Sequence, residues 1–179
     1  MLEQTKTGLI VVDVQGKLAR MMHDSEQLIG NIVRLIEGCK ALDLPIIQLE
    51  QIPDKLGATV DEVQTVLATG QAIHKTAFSG CGEPAFLQAV AATQRTQWLV
   101  CGIETHICVY QTALQLMQAG HHVELVSDCV GSRTPANKEL ALAKLVRHGV
   151  ELSSIEMCLY ELMQDCRHPA FRAILPLVK

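Results

Sequence analysis

Three residues whose side chains could act together in covalent catalysis fall at the ends of apolar segments or just beyond them. Asp13 follows four aliphatic residues, Lys75 ends a shorter apolar run, and Cys108 lies six residues after Gly102. A thiol in the first turn of a helix faces unpaired N–H groups and the positive end of the helix dipole, which favours loss of its proton. We therefore expect a lowered pKa for Cys108, which would act as a nucleophile beside a carboxylate base and an ammonium cation.

The elements that must position these residues form a regular alternation of short apolar runs and helix-length segments. The runs predict strands over residues 8–14, 45–50, 72–75, 96–102, 122–128 and 154–160. Apolar residues at helical spacing predict helices over residues 25–42, 83–93, 105–119 and 135–148. This alternation is typical of an α/β fold with a mostly parallel sheet of about six strands and helices on both faces. The carboxyl ends of such strands meet at one edge, where ligands bind, so we expect the three candidates to converge there.

Length and charge narrow the class of protein further. At 179 residues the chain suits a single domain over residues 1–179. A net charge of −4 gives no basic surface for nucleic acid, and no apolar run approaches the ~20 residues that span a bilayer. The first residues lack the order of a signal peptide, and seven scattered cysteines without a C-x-x-C pair are typical of free thiols. We expect a cytoplasmic protein without nucleic-acid or membrane partners, and the mean hydropathy of +0.22 favours a homo-oligomer.

Three segments, residues 9–15, 75–79 and 102–109, together resemble the isochorismatase-like cysteine hydrolase family in order and spacing. Residues 50–53, 128–133 and 165–169 resemble features of its small stand-alone members, and the likeness runs from about residue 7 to the C-terminus. The resemblance implies a three-layer α/β/α fold with a catalytic triad of Asp13, Lys75 and Cys108. In this triad Asp13 takes the proton of Cys108, Lys75 holds charge and geometry, and Cys108 attacks a carbonyl or similar carbon.

The resemblance also implies the surroundings of the reacting carbon. The family places a cis peptide bond at the position of Ile103–Glu104, which would aim the N–H of Glu104, with that of Cys108, at a developing oxyanion. Phe78 and Tyr110 are candidate pocket walls, although packing in the core is an alternative for Phe78. Arg133 is either an anion-binding group or one partner of a surface ion pair.

One departure from the family pattern concerns metals. Members that hydrolyse nicotinamide hold a divalent ion through an Asp-x-His pair after the second strand and a further histidine. The matching stretch, residues 48–51, reads Gln-Leu-Glu-Gln, and the seven histidines show no ligand spacing. We expect no metal or other cofactor and poor activity on nicotinamide.

These observations favour a metal-independent hydrolase that acts on a small-molecule substrate, either an amide or another compound with a C–N bond. A second hypothesis is a catalytically silent family member that serves as a binding or scaffold protein. A third is a redox-responsive protein that uses Cys108, although no resolving cysteine lies at close spacing. The sequence leaves the substrate open.

Overall fold

The computed structural model describes residues 1–67 and 71–179, and its centre is a six-stranded parallel sheet in the order β3-β2-β1-β4-β5-β6. The strands are β1 (Thr7–Val12), β2 (Ile46–Gln51), β3 (Ile73–Lys75), β4 (Gln97–Ile103), β5 (His122–Gly131) and β6 (Glu151–Ser153). The α-helices are α1 (Gly16–Arg20), α2 (Ser25–Ala41), α3 (Pro53–Leu56), α4 (Asp61–Leu67), α5 (Pro84–Thr93), α6 (Tyr110–Gln118), α7 (Pro135–Arg147), α8 (Ile155–Met163) and α9 (Phe171–Ile174).

The sheet is covered on both faces, because side chains along each strand point alternately to opposite sides. In β1, Leu9 and Val11 pack with α2, α8 and α9 on one face. Ile10 and Val12 pack with α5, α6 and α7 on the other. The predicted three-layer α/β/α class is therefore confirmed.

The prediction of a strand over residues 154–160 is wrong, because this segment is the helix α8. Ser154 caps the helix, since its Oγ accepts a hydrogen bond from the N–H of Met157 at 3.2 Å. The buried residues recur at helical spacing: Ile155, Cys158, Leu159, Leu162 and Met163. The last strand is instead the short β6 at the sheet edge, whose Glu151 and Leu152 are exposed and give no apolar signal.

Other predicted boundaries also shift. The predicted helix over residues 105–119 begins with a π-helical segment, Thr105–Val109, before α6. The irregular connection after β2 contains α3 and α4, while residues 68–70 at its end lie outside the described part of the chain.

Gly102 allows the ends of β1 and β4 to approach each other closely. Its φ is +117°, and a Cβ at this position would lie 2.0 Å from the carbonyl oxygen of Val12. The register of β4 against β5 shifts between Val100 and Gly102, so the irregularity falls next to the strand end. This approach brings the residues that follow Val12 near those that follow Gly102.

In the described ranges, every helix is either too short or too polar to cross a bilayer.

Candidate active site

Asp13 and Lys75 form a buried ion pair at the carboxyl edge of the sheet. The chain leaves β1 at Asp13, which has a left-handed backbone with φ of 52°. Lys75 ends β3, and its Nζ donates to Asp13 Oδ2 at 2.6 Å. The Lys75 and Asp13 side chains are 0% and 3% exposed, so the pair is shielded from solvent. Burial raises the pKa of Asp13 above its ordinary value, and the charge of Lys75 only partly opposes this effect.

Lys75 is held in place by further oxygen atoms. Its Nζ donates to Gln51 Oε1 at 2.7 Å and reaches the backbone oxygens of Phe78 at 3.0 Å and Ala77 at 3.3 Å. Gln51 is the register partner of Lys75 in the neighbouring strand, and its Nε2 donates to the backbone oxygen of Thr76 at 2.8 Å. Gln51 is a site residue that the sequence did not single out, because the pairing of β2 with β3 is what brings it to Lys75.

Cys108 lies in the π-helical segment at the same edge and is buried, with 8% of its surface exposed. It shares the wall of one cavity with Asp13, and the charges of both Asp13 and Lys75 act on the pKa of its thiol. Asp13 Oδ1 is buried and has no hydrogen-bond partner within the described residues. Asp13 Oδ1 is therefore the acceptor available for the thiol proton.

The expected lowering of the Cys108 pKa is wrong. Burial first, and then the negative charge of Asp13, raise the pKa of Cys108 to about 12, and Lys75 opposes them incompletely. The helix-terminus argument assumed a partly exposed thiol, whereas burial disfavours the thiolate. A pKa of about 12 keeps the thiol of Cys108 protonated near neutral pH.

A small cavity of about 160 Å³ opens onto Cys108. Its lining residues are Asp13, Leu18, Gln51, Leu56, Phe78, Ile103, Glu104, Ile107 and Cys108. Phe78 stands on this wall and is 57% exposed, so it is not a core residue. Tyr110 lies elsewhere, where its ring packs against Lys144 Nζ at 4.9 Å.

Ile103 and Glu104 form one side of this cavity, and the peptide bond between them is cis, where the resemblance places it. The Glu104 carboxylate accepts from the backbone N–H and the Nε of Arg133, both at 3.2 Å. Of the two roles considered for Arg133, the structure shows an ion pair, and its partner is Glu104.

Glu50 and Gln51 lie where metal-binding members of the family would hold their ion, and both side chains already make other hydrogen bonds. Glu50 Oε1 accepts from both the backbone N–H and the Oγ1 of Thr59 at 2.7 Å, and its Oε2 lies 3.4 Å from His74. The two ends of the Gln51 amide bind Lys75 and Thr76. This arrangement leaves a poor set of ligands for a divalent ion.

A different group of potential ligands lies at the amino ends of β5 and β6. In the part of the chain that the structure describes, the ligand atoms of His122, Glu124 and Glu151 lie within 4.8 Å of one another. His122 Nε2 and Glu124 Oε1 are 3.0 Å apart, as in an ordinary ion pair. Sequence spacing missed this group because Glu151 comes from the neighbouring strand, opposite Glu124.

Comparison with known families identifies the family and supports the fold. The family model described as Isochorismatase domain matches residues 7–157. This chain belongs to the isochorismatase family. Isochorismatase domain-containing protein 2 of Danio rerio is 35% identical over 167 residues, which cover 93% of this chain and 83% of the relative. The predicted resemblance to stand-alone isochorismatase-domain proteins is confirmed.

Other similar proteins carry different descriptions. Secreted isochorismatase effector Isc1 of Phytophthora sojae is 32% identical over 175 residues, covering 96% of this chain and 83% of the relative. The structure of MAR1 ribonuclease from Caenorhabditis elegans has a TM-score of 0.93 at 31% identity and covers 99% of this chain and 91% of the neighbour. A structure described as YcaC from Pseudomonas aeruginosa with hexane-2,5-diol and covalent acrylamide has a TM-score of 0.92 at 25% identity. The match covers 98% of this chain and 90% of the neighbour.

Proposed function

We propose that this protein is a metal-independent cysteine hydrolase that acts on a small amide or another small compound with a C–N bond. The observation that carries the proposal is the buried Asp13–Lys75 pair beside Cys108, on the wall of a cavity. Asp13 Oδ2 is bound to Lys75, while the buried Oδ1 has no hydrogen-bond partner among the described residues. A nucleophile and a base in hydrogen-bonding reach, with the base oriented by a third group, are the arrangement that covalent catalysis requires.

The reaction follows from the positions of the protons. Asp13 Oδ1 takes the thiol proton as Cys108 Sγ bonds to the carbonyl carbon, and the negative charge passes to the carbonyl oxygen. The C–N bond then breaks, and the departing nitrogen takes the proton from Asp13, which leaves a thioester on Cys108. Water attacks the thioester and gives a proton to Asp13. The S–C bond breaks, the acid leaves, and the proton returns to the sulfur.

The oxygen that becomes negative requires donors. We propose that the backbone N–H groups of Glu104 and Cys108 supply them, because both residues line the cavity next to the sulfur. Donors fixed in a water-poor site stabilise the charged intermediate more than the neutral substrate.

The hydrogen bonds that Glu50 and Gln51 already make support a reaction without a metal. Glu50 is bound to Thr59 and Gln51 to Lys75, so recruitment of an ion would break contacts that hold the site together. We therefore propose that nicotinamide is a poor substrate and that EDTA leaves the activity unchanged.

The first prediction concerns Cys108 itself. A turnover screen over small amides, ureas and hydroxamates should find activity in the native protein and a loss of at least about 1,000-fold in Cys108→Ala, because the variant has no nucleophile. Cys81→Ala is the matched control, since Cys81 is a partly buried thiol outside the cavity. Equal turnover in Cys108→Ala and the native protein would contradict the proposal.

The same screen separates the alternatives. Binding of a screened compound without any turnover would favour the silent binding or scaffold protein. Reversible oxidation of Cys108 without turnover would favour the redox-responsive protein. An RNA arm is included because one similar structure is described as a ribonuclease. We expect no RNA cleavage, since this chain carries a net charge of −4.

We also propose a cytoplasmic homo-oligomer. The seven cysteines are all free thiols in the structure, which suits a reducing compartment. Several large apolar side chains lie on the surface, among them Leu140 and Met157 at 60% and 59% exposure. A structural neighbour from Escherichia coli is described as an octameric hydrolase of unknown specificity.

A further inference from the structure

We propose that the acyl portion of the substrate is short, apolar and uncharged, an inference that rests on the proposed hydrolase function. The cavity beside Cys108 has a volume of about 160 Å³, whereas cavities for drug-sized ligands hold about 300–1,000 Å³. A group attached to the attacked carbon must fit in this space together with the carbonyl. The volume therefore limits that group to a few non-hydrogen atoms.

The walls determine the polarity of the group. Aliphatic and aromatic side chains form most of the lining: Leu18, Leu56, Phe78, Ile103 and Ile107. A hydrocarbon segment of the substrate gains free energy by leaving water for such a surface. A polar segment would lose its hydrogen bonds to water without replacing them.

The charges near the cavity decide against an anionic group. The ammonium of Lys75 is buried, bound to Asp13 and Gln51, and has no exposed surface from which to contact a ligand. The guanidinium of Arg133 pairs with Glu104, whose carboxylate already balances it. Among the described residues, Lys75 and Arg133 are cations placed at the cavity or bonded to its lining, and both are paired with a carboxylate. The ring of His106 also lies against the lining, with its Nδ1 4.0 Å from the same Glu104 carboxylate. A substrate carboxylate would therefore enter an apolar cavity with no cation left to pair with it.

Alkylation of Cys108 tests this inference without the need for turnover. Iodoacetamide and iodoacetate both form an S–CH₂ bond and release iodide, and they differ mainly in that one is neutral and the other is an anion. The exposed Cys166 of the same protein provides an internal reference. Peptide mass spectrometry after timed labelling gives the ratio of the iodoacetamide rate to the iodoacetate rate at each cysteine.

We expect this ratio to be at least about tenfold larger at Cys108 than at Cys166. Equal ratios at the two cysteines would overturn the inference, because the cavity would then admit an anion as readily as open solvent does. Failure of iodoacetamide to label Cys108 while Cys166 is labelled completely would also overturn it, since the cavity would then not admit a small neutral group.

Two variants test the cause of the selectivity. Glu104→Gln leaves Arg133 without its carboxylate partner. The rate at which iodoacetate labels Cys108 should therefore rise several-fold relative to the rate for iodoacetamide. Leu56→Ala widens the cavity and should raise labelling by a longer N-alkyl iodoacetamide while the discrimination against iodoacetate remains. Leu18→Ala serves the same purpose should Leu56→Ala not fold. A Glu104→Gln protein with unchanged discrimination would show that charge at Arg133 does not control it.

The labelling experiment and the turnover screen test different claims, so the failure of one claim can be distinguished from the failure of the other. If Cys108→Ala keeps its activity, the proposed hydrolase function fails whatever the labelling shows. If the native protein hydrolyses carboxylate-bearing amides as fast as neutral ones of equal length, the function stands and the inference about the substrate fails.

Discussion

Burial is the main influence on the protonation of both Cys108 and Asp13. Burial raises the pKa of both groups, that of Cys108 to about 12, so the proton lies on sulfur near neutral pH. The raised pKa of Asp13 makes its carboxylate, when ionised, a stronger acceptor for the thiol proton. In the proposed reaction the thiolate nucleophile is therefore generated during the attack and is not present beforehand.

This arrangement predicts a particular pH profile for kcat/KM on any substrate found in the screen. Asp13 must be ionised to act, so activity should fall as the pH drops through its raised pKa, with a midpoint above 3.8. No further increase is expected around pH 9, the ordinary thiol pKa, because the pKa of Cys108 is about 12. A rate that follows a single ionisation between pH 8 and 9 would show instead that the thiol ionises by itself.

At this scale the sequence predicted residue types better than their protonation. Asp13, Lys75 and Cys108 could be chosen because each follows an apolar run, and strand ends of a parallel sheet share an edge. The pKa of Cys108 could not be obtained in this way, because it depends on how deeply the thiol is buried. Gln51 was also out of reach, since its contact with Lys75 depends on the register of two strands.

Among the secondary-structure elements, the adjacent ends of β1 and β4 position most of the residues that we propose to act in catalysis. Asp13 follows β1, while Glu104 follows β4 and precedes the segment that carries Cys108. Gly102 sets the approach of these two strand ends, because its missing side chain leaves space for the backbone of Val12. The geometry of the cavity thus depends on a residue that contributes no functional group.

We predict that Gly102→Ala destabilises the protein by clearly more than Gly120→Ala. Both glycines have positive φ, +117° and +95°, which costs an alanine roughly 1–2 kcal/mol. At Gly120 a Cβ meets nothing within 4 Å, whereas at Gly102 it would lie 2.0 Å from Val12 O. Urea-induced unfolding gives the two losses in free energy. Equal losses would show that the close approach of the strands is not a constraint.

Residues 154–160 were predicted as a strand but form a helix, because their apolar pattern does not distinguish the two. Ile155, Met157, Cys158 and Leu159 form a short apolar run, and a run of this length fits either a strand or a buried helix. The capping bond of Ser154 decides in favour of the helix. The central strands, in contrast, were predictable because both of their faces are buried and their apolar runs are continuous.

For the molecule as a whole, part of the apolar content of the sequence lies in side chains that are exposed on the surface. The mean hydropathy of +0.22 predicted a surface shared between subunits, and exposed apolar side chains on α7 and α8 support it. Which faces meet could not be predicted from the sequence, because contact between copies depends on the shape of the folded surface.

We predict that the protein in solution forms an assembly whose mass is at least twice 19.6 kDa. Burial of the exposed apolar side chains between copies would stabilise such an assembly. Sedimentation velocity or light scattering over a range of concentrations measures the mass directly. A single species of 19.6 kDa at all concentrations would contradict the expectation.

The fixed ammonium of Lys75 has a consequence for the timing of charge in the proposed reaction. It is bound by Asp13, Gln51 and two backbone oxygens, so it does not move when the reaction begins. As Asp13 becomes protonated, its negative charge is transferred to the substrate oxygen, and the counterion of Lys75 thereby relocates from the protein to the reacting molecule. The site would thus be electrically balanced before the attack and become attractive to an anion only while the tetrahedral intermediate exists.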